Sequence, residues 1–320
     1  MERETMGVLK GICVSKKRGT KKVEVAEAML VENYGIEGDA HAGNWHRQVS
    51  LLSLEKIEAF REKGAQVSFG DFGENLIIDG FDFRSLPVGT IFTIGDAVLK
   101  MTQIGKECHT HCQIYQTMGE CIMPREGVFA VVLKGGQIRN GDTVEMVPVP
   151  FDAPLTAAVI TLSDKRSKGE REDKSGPVIV KMLEEAGYEI IESNILPDEQ
   201  KLLENELIRL SDQRQVNLIL TTGGTGFSER DRTPEATMTV ATRLAPGIAE
   251  AIRAGSMKIT KRAMLSRETS VIRNKTLIVN LPGSPKAVAE SLELVIDQLD
   301  HGIKILLGRT GECARNKKNL

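Results

Sequence analysis

A proline-rich segment near the middle of the chain most constrains its architecture. Pro148, Pro150 and Pro154 fall within the segment 148–154. Proline lacks the backbone N–H that a helix interior or a central strand requires, so regular secondary structure stops there. A chain of 320 residues is long enough for two domains. We predict a domain at 1–147, a linker at 148–154, a second domain at 155–309 and a polar tail at 310–320.

The residues before the linker have the pattern of a β-rich domain. Short apolar runs recur along this half, and turns such as Gly95-Asp96 and Asn140-Gly141-Asp142 separate them. Many short strands joined by such turns are typical of a barrel or a sandwich. We therefore predict a mostly-β first domain, with one helix beginning after Ser53.

The residues after the linker alternate between apolar runs and helical patterns. The apolar runs lie at 157–162, 189–196, 216–220 and 276–281. This alternation predicts an α/β domain with a mostly parallel sheet and helices on both faces. Because ligands of such sheets bind at the carboxyl ends of the strands, we expect the loops that follow these four runs to lie together.

One of these loops has the features of an anion site. Residues 221–226 read TTGGTG, and Asp231 follows. Glycine lets backbone N–H groups approach a phosphate, and a nearby carboxylate can hold a divalent cation. Alone, the loop could be only a tight turn, and it lacks the Gly-Lys-Ser/Thr of a Walker A motif. With Asp164 and Asp198 in neighbouring loops, it predicts a nucleotide or phosphate-ester site with Mg²⁺.

The loops of the second half resemble, motif after motif and in order, the molybdopterin adenylyltransferase family. The motifs are TLSD at 161–164, DKSGP at 173–177, LPDE at 196–199, TTGGTGFSERDRT at 221–233 and LPGSP at 281–285. The resemblance implies a three-layer α/β domain that forms a homotrimer. It also implies transfer of AMP from ATP to the terminal phosphate of molybdopterin, with release of pyrophosphate.

The resemblance also implies roles for individual residues. It makes Asp198 and Asp231 catalytic, and we expect them to bind Mg²⁺, while Arg230 or Arg232 balances charge in the transition state. The expected binding residues for the nucleotide and the pterin are Ser163, Asp164, Ser175, Gly223, Gly224, Thr225, Gly226, Gly283 and Ser284. Each has a structural alternative, such as a helix cap for Asp198 or a turn for Ser284.

Soft metal ligands cluster in the first half. Residues 105–112 read GKECHTHC, and Cys121 follows. The spacing matches neither a standard zinc finger nor the iron–sulfur motif of radical enzymes. Lys106 and the neighbouring histidines could lower the pKa of a thiol and make it nucleophilic. A reactive thiol, a zinc or redox-sensing module and a pair of structural cysteines remain open on this pattern.

Other motifs of the first half resemble the MOSC domain, which is similar to the C-terminal domain of molybdenum cofactor sulfurases. They are YGIEGDAH at 34–41, RQVSLL at 47–52, GDFGENL at 70–76 and LPVG at 86–89. The resemblance implies a β-barrel whose cysteine handles sulfur or ligates molybdenum. Cys108 lies at the family's position, and Cys112 is too close to be distinguished from it. The pocket residues expected for the cofactor are Asp39, His41, Arg47 and Asn75.

Composition narrows the class of protein further. The formal net charge is −2 and aromatic residues make up 4%, which disfavours a nucleic-acid-binding protein. No apolar run is long enough for a membrane span, and the N-terminus lacks a signal-peptide pattern, so we expect a cytoplasmic protein. Pyridoxal phosphate is not expected, so a sulfur donor and downstream molybdenum insertion proteins would be separate partners.

We therefore expect a bifunctional enzyme of molybdenum cofactor biosynthesis that uses ATP, Mg²⁺ and molybdopterin. The alternative is a non-catalytic carrier or storage protein for molybdopterin or the finished cofactor. Stoichiometric pterin binding without pyrophosphate release would favour the carrier.

Overall fold

The structure, a computed structural model, describes residues 5–106 and 113–309. The predicted tail at 310–320 lies outside this range, as do Cys108 and Cys112. The chain folds into two compact units, Met1–Pro150 and Phe151–Leu320. None of the helices in the described ranges is both long and apolar enough to span a bilayer.

The first unit is built mainly from short strands. Its strands are β1 (Met6–Val14), β2 (Val23–Val25), β3 (Glu27–Val31), β4 (Gly35–Ile36), β5 (Val49–Ser53), β6 (Leu76–Asp79), β7 (Ile91–Ile94), β8 (Ala97–Ile104), β9 (Val128–Lys134), β10 (Gly136–Arg139) and β11 (Thr143–Val147). Its described helices are α1 (Leu54–Glu62), α2 (Gln113–Met118) and α3 (Met123–Glu126), with a 3-10 turn at Phe83–Ser85.

Seven of these strands close into a barrel. The strand order is β11-β7-β8-β9-β5-β6-β1, and β1 pairs back onto β11, with Gly7 opposite Val144. Side chains alternate between the interior and the outside along β8 and β11, so the apolar ones fill the barrel core. A barrel therefore forms, where the sequence pattern alone also allowed a sandwich. The strands β10, β3 and β4 form a separate small sheet.

The second unit alternates strands and helices. Its strands are β12 (Thr156–Leu162), β13 (Glu189–Leu196), β14 (Leu218–Thr222), β15 (Arg243–Leu244), β16 (Ser270–Arg273) and β17 (Thr276–Leu281). Its helices are α4 (Asp164–Ser167), α5 (Ser175–Glu185), α6 (Gln200–Ile208), α7 (Thr233–Thr239), α8 (Pro246–Ser256), α9 (Pro285–Glu293) and α10 (Ile296–Leu306). A π-helical turn at Arg209–Gln213 extends α6, and a 3-10 turn lies at Lys261–Leu265.

The sheet of the second unit is mixed. Its order is β13-β12-β14-β17-β16-β15. The pairings among β13, β12, β14 and β17 are parallel, whereas β16 is antiparallel to both β17 and β15. Our prediction of a mostly parallel sheet is therefore not confirmed. The reversal comes from a tight turn at Asn274, whose φ of 51° is a left-handed conformation that asparagine tolerates.

Helices cover both faces of this sheet. Along β12, Ala157 and Val159 pack in a core with α5, α8, α9 and α10. Ala158 and Ile160, on the opposite face, pack in a second core with α6 and α7. The strand is buried on both faces, which explains its continuous apolar sequence. The result is a three-layer arrangement with the sheet in the middle.

Candidate functional site

The loops after β12, β13, β14 and β17 meet at one edge of the sheet. In the parallel register Leu162 pairs with Leu196, Thr161 with Thr222, and Thr222 with Leu281. The four strands therefore end nearly level with one another. This brings together the loops that carry the predicted site residues of the second unit.

A glycine turn occupies the middle of this edge. Gly223 has φ of +98° and Gly224 has φ of +65°, both in the left-handed region. A Cβ atom added at Gly223 would lie 2.4 Å from the carbonyl oxygen of Leu162, and one at Gly224 would lie 2.3 Å from Thr233 Oγ1. Thr233 Oγ1 donates to the carbonyl of Gly223 at 2.9 Å, which fastens the turn to the start of α7. Only glycine fits these two positions.

The glycine turn presents backbone donors. Within residues 5–106 and 113–309, no protein acceptor is found for the N–H groups of Gly224, Thr225 and Gly226. Gly283, in the adjoining loop, lies so close that an added Cβ would be 3.4 Å from the Cα of Gly223. Unpartnered N–H groups in a glycine turn are suited to binding an anion such as a phosphate.

Asp164 and Asp198 connect the first two loops. The N–H of Asp164 donates to Asp198 Oδ2 at 2.9 Å, and the N–H of Asp198 donates to Asp164 Oδ1 at 3.1 Å. Burial raises the pKa of Asp198, and the negative charges of Asp164 and Asp231 raise it further. Asp164 and Asp231 therefore both repel the charge of Asp198, and a bound cation would relieve this repulsion.

Arg230 already neutralises part of this acidic group. Its guanidinium contacts both carboxylate oxygens of Asp164, at 2.8 and 3.0 Å from Nη2, and Glu199 Oε1 at 2.8 Å from Nη1. Hydrogen bonding from Arg230 lowers the pKa of Asp164. Arg230 lies beside Asp231 in the chain, so a cation paired with two carboxylates borders the predicted phosphate position.

The Asp231 carboxylate lies against the last glycine of the turn. A Cβ added at Gly226 would be 2.8 Å from Asp231 Oδ2, and the same oxygen accepts the N–H of Ser228 at 2.9 Å. Asp231 is half-buried. The carboxylate and the glycine turn are therefore adjacent, as a site for a metal-bound phosphate requires.

Two predicted serines cap helices at the same edge. Ser163 Oγ accepts the N–H of Arg166 at 3.3 Å, and Ser284 Oγ accepts the N–H of Ala287 at 3.2 Å. Each hydroxyl retains a proton that it can donate to a ligand. Ser284 is exposed and Ser163 is half-buried.

Ser175 has a different environment from the one that we expected. Its residue is fully buried, and its hydroxyl donates to the carbonyl of Gly283 at 3.0 Å. The structure therefore uses Ser175 to hold the 283 loop. The side chain of Asp173 caps the N-terminus of α5, since its Oδ1 accepts the N–H groups of Ser175 at 3.0 Å and Gly176 at 3.3 Å. Asp173 is part of the quoted DKSGP motif, and its cap position two residues before the serine could have been recognised.

The carboxylates of the described residues could hold a metal ion only together with ligands from a substrate or water. Over residues 5–106 and 113–309, no group of three or more His, Cys, Asp or Glu side chains could hold a metal ion. Mg²⁺ often binds through one or two carboxylates together with substrate phosphates and water. Asp198 and Asp231, which lie beside the glycine turn, fit that mode.

In the first unit, Asp39 and Asn75 belong to a buried polar network. Asp39 forms an ion pair with Lys22 at 2.9 Å, and each side chain is 1% exposed. Asn75 Nδ2 donates to Asp39 Oδ2 at 3.2 Å and to the carbonyl of Cys13 at 2.9 Å. Burial alone would raise the pKa of Asp39, but hydrogen bonds from His41 and Lys22 lower it well below its usual range. Both residues therefore hold the barrel together, which differs from the direct cofactor contact that we expected.

His41 and Arg47 are more accessible. The His41 side chain is 35% exposed, and its carbonyl accepts the indole N–H of Trp45 at 2.9 Å. The Arg47 guanidinium carbon lies 4.8 Å from the centre of the Trp45 ring and 5.6 Å from that of Phe129. Trp45 therefore orders the surface between the two predicted binding residues. Cys108 and Cys112 lie outside the described residues.

Comparisons with known proteins agree with this division of the chain. A family model described as "MOSC domain" matches residues 38–145, and one described as "Probable molybdopterin binding domain" matches residues 158–301. The molybdopterin adenylyltransferase of Helicobacter pylori strain J99 is 42% identical over 164 residues, which are 51% of this chain and 92% of that protein. The Escherichia coli K12 protein of the same name is 42% identical over 146 residues, 45% of this chain and 74% of that protein.

A solved structure also matches the second half. The molybdopterin biosynthesis enzyme MoaB from Thermus thermophilus is 40% identical, with a TM-score of 0.47, and the match covers 48% of this chain and 97% of that chain. By the two family models, the chain joins a MOSC domain to a second domain of the molybdopterin-binding type. Through that second domain, the chain belongs to the molybdopterin adenylyltransferase family.

Proposed function

We propose that the second unit transfers AMP from ATP to molybdopterin in a Mg²⁺-dependent reaction. An oxygen of the molybdopterin phosphate would attack the α-phosphorus of ATP, and the bond to the bridging oxygen would break, releasing pyrophosphate. The main support is the meeting of unpartnered glycine-turn N–H groups with Asp198 and Asp231 at one sheet edge. The names of the relatives agree with this reaction.

The residues would divide the work as follows. The N–H groups of Gly224, Thr225 and Gly226 bind phosphate oxygens, while Asp198 and Asp231 hold Mg²⁺. When bound, Mg²⁺ supplies positive charge that offsets the repulsion between two polyanionic substrates. Gly223 and Gly283 keep the backbones of their loops close enough for both ligands to approach.

Side chains around this centre would orient the substrates. Ser163 and Ser284 donate hydrogen bonds to the second substrate, molybdopterin. Asp164 positions Asp198 through the contacts in which the N–H of each residue donates to the carboxylate of the other. Arg230 would exchange its contacts with Asp164 and Glu199 for the phosphate charge that develops during transfer. Ser175 would act from the interior by holding the 283 loop.

For the first unit, we propose binding of molybdopterin or the molybdenum cofactor near His41 and Arg47. Cys108 or Cys112 of this unit would handle sulfur, or Cys108 would ligate molybdenum. A separate sulfur donor and downstream molybdenum insertion proteins would be its partners. We also propose that the chain acts in the cytoplasm. We further propose that it forms a homotrimer through the second unit, and sedimentation of the purified protein would measure this oligomeric state.

Replacement of Asp231 by Asn tests the proposed reaction. With ATP, Mg²⁺ and molybdopterin, wild type should release pyrophosphate, and Asp231→Asn should lower that rate about 100-fold or more, because a charged metal ligand is lost. The control is Asp297→Asn, since Asp297 is exposed on α10. Near-normal turnover by Asp231→Asn would contradict its assigned role. A wild-type protein that binds pterin stoichiometrically without releasing pyrophosphate would be a carrier.

A further inference from the structure

The reversed strand β16 brings a segment to the site that parallel strands would not. Because β16 is antiparallel to β17, it starts at the edge where β14 and β17 end, with Ser270 paired to Val279. The residues just before Ser270 therefore pass beside the glycine turn. Arg267 lies in this segment, between the 3-10 turn and β16.

Arg267 contacts both ends of the loop that joins the glycine turn to Asp231. Its Nε donates to the carbonyl of Gly226 at 2.7 Å, and its Nη2 donates to the carbonyl of Asp231. Its Nη1 contacts the Glu235 carboxylate on α7. One planar guanidinium therefore spans the glycine turn, the metal-binding carboxylate's own backbone and the following helix.

The backbone of Arg267 adds a further contact to the same loop. Its N–H donates to the carbonyl of Thr225 at 3.0 Å. Two successive carbonyls, those of Thr225 and Gly226, are thus directed toward Arg267. The described chain contains no cis peptide bond, and in a trans peptide the C=O and the next N–H point in opposite directions. The N–H of Gly226 is therefore directed away from Arg267, and no acceptor for it is found among residues 5–106 and 113–309.

The segment that carries Arg267 is itself fixed from α8. Arg253 Nε donates to the carbonyl of Ser266 at 3.1 Å, and its Nη2 donates to the carbonyl of Glu268 at 2.9 Å. These are the residues on either side of Arg267. The guanidinium of Arg267 therefore extends from an anchored backbone, and its contacts can hold the loop in one position.

We infer that Arg267 is the positioning residue of the nucleotide site. By fixing the carbonyls of Thr225, Gly226 and Asp231, it makes the N–H groups of the turn and the Asp231 carboxylate face a single Mg²⁺–ATP. The Nε, Nη1 and Nη2 atoms of Arg267 each donate to a protein acceptor, so Arg267 acts through the turn. This inference rests on the proposed AMP transfer and assigns a role that the five motifs do not contain.

Replacement of Arg267 by Ala, with Arg273 as the matched control, tests this role. Arg273 is also partly buried, with contacts to the Asp212 carboxylate and the carbonyl of Val240, but it lies at the far end of β16. We expect Arg267→Ala to lower kcat for AMP transfer roughly 10- to 100-fold, because a misplaced turn no longer aligns the reacting groups. Binding of Mg²⁺–ATP, measured by calorimetry, should weaken as well. Arg273→Ala should leave both quantities within about twofold of wild type, although it loses comparable bonds.

Two further measurements separate positioning from stability. Millimolar methylguanidinium should restore part of the activity of Arg267→Ala, because it can refill the vacated contacts with the turn. It should leave the turnover of Arg273→Ala unchanged, because refilling the contacts with Asp212 and Val240 does not move the turn. Arg267→Lys keeps the charge but not the planar fork, so its activity should lie between those of wild type and Arg267→Ala. If Arg267→Ala does not fold, comparison of Arg267→Lys with wild type tests the positioning role of Arg267.

The outcomes distinguish this inference from the proposed function. Wild-type turnover in Arg267→Ala, or equal losses in Arg267→Ala and Arg273→Ala, would overturn the inference and leave AMP transfer intact. A wild-type protein that binds Mg²⁺–ATP without releasing pyrophosphate would contradict AMP transfer. The inference about Arg267 would then be tested by comparing the Mg²⁺–ATP affinities of wild type and Arg267→Ala, and equal affinities would overturn it. Absence of Mg²⁺–ATP binding in wild type would contradict both.

Discussion

At the scale of single residues, Asp198 combines a proposed role in metal binding with a cost in stability. Burial disfavours its charged form, and the neighbouring charges of Asp164 and Asp231 disfavour it further, so its pKa is raised in the folded chain. A raised pKa contributes stability that is fully present below the unfolded value of 3.8 and is lost as the pH rises through the folded value. At neutral pH this contribution is absent.

We therefore expect Asp198→Asn to unfold at a higher temperature than wild type at neutral pH, by about 2 °C, while losing AMP transfer. Below the unfolded pKa the difference should disappear, because both side chains are then neutral. Asp164→Asn is a control that should shift the unfolding temperature in the opposite direction. Hydrogen bonding from Arg230 lowers the pKa of Asp164, and the substitution removes the carboxylate with which Arg230 pairs. Thermal melts of the three proteins at neutral and acidic pH provide the measurement, and a lower midpoint for Asp198→Asn at neutral pH would contradict this account.

The sequence identified some of these residues better than others. Asp198 follows an apolar strand and Asp231 follows the glycine turn after another, so the place of both residues at the sheet edge could be predicted. The burial of Ser175 and Asp39 could not, because the partners that enclose them, Gly283 and Lys22, lie elsewhere in the sequence. Arg267 could not be predicted either, because two of its side-chain partners are backbone carbonyls, which leave no trace in residue type, and the third, Glu235, is distant in the sequence.

At the scale of elements, the turn between β14 and α7 depends on backbone conformations that only glycine adopts easily. Gly223 has a φ of +98°, and an added Cβ would meet the Leu162 carbonyl at 2.4 Å. Gly302, within α10, is exposed, and an added Cβ would have no heavy atom within 4 Å. The two glycines therefore make a matched pair in one unit.

We expect Gly223→Ala to destabilise the second unit by roughly 1–3 kcal/mol and to reduce AMP transfer, because strain and a clash displace the turn. Gly302→Ala should stabilise the same unit by about 0.5–1 kcal/mol, since alanine restricts the unfolded chain and favours the helix. Trp45 is the only tryptophan of the chain and lies in the first unit, so its fluorescence reports that unit alone while circular dichroism reports both. Equal stability of the two variants would show that the turn tolerates a side chain.

The strands were predictable to different degrees. β12, β14 and β17 are buried on both faces, so they appear in the sequence as continuous apolar runs. β16 has the mixed sequence SVIR, and β15 contains only Arg243–Leu244, which is too short for any periodic pattern. This explains why a mostly parallel sheet was predicted, and why the segment that delivers Arg267 was absent from that prediction.

At the scale of the whole molecule, each unit has its own apolar core. The buried clusters of the first unit fall within residues 9–146, and those of the second within 155–303. The comparisons with known proteins also separate the two halves, since the curated relatives match about half of this chain. The domain boundaries that we predict at 147 and 155 remain a prediction, as do the homotrimer and the role of the first unit.

Separation of the two units would test whether their linkage serves the proposed reaction sequence. We expect the fragment Phe151–Leu320 to fold and to transfer AMP at the rate of the full chain, because its cores and site loops contain residues of that unit only. Covalent linkage should matter for the product, since two sites joined by a short linker meet at an effective concentration of about 1 mM.

At about 1 µM protein, the full chain should therefore place adenylylated molybdopterin on its first unit faster than an equimolar mixture of the two fragments does. Raising the concentration of the mixture should close the gap, because the encounter is then no longer limiting. Rapid proteolytic cleavage of the full chain within the proline-rich segment, followed by separation of the units and mass spectrometry of the pterin on each, measures this transfer. Equal rates at low concentration would mean that the product reaches the first unit through solution, and that the proline-rich segment joins two independent activities.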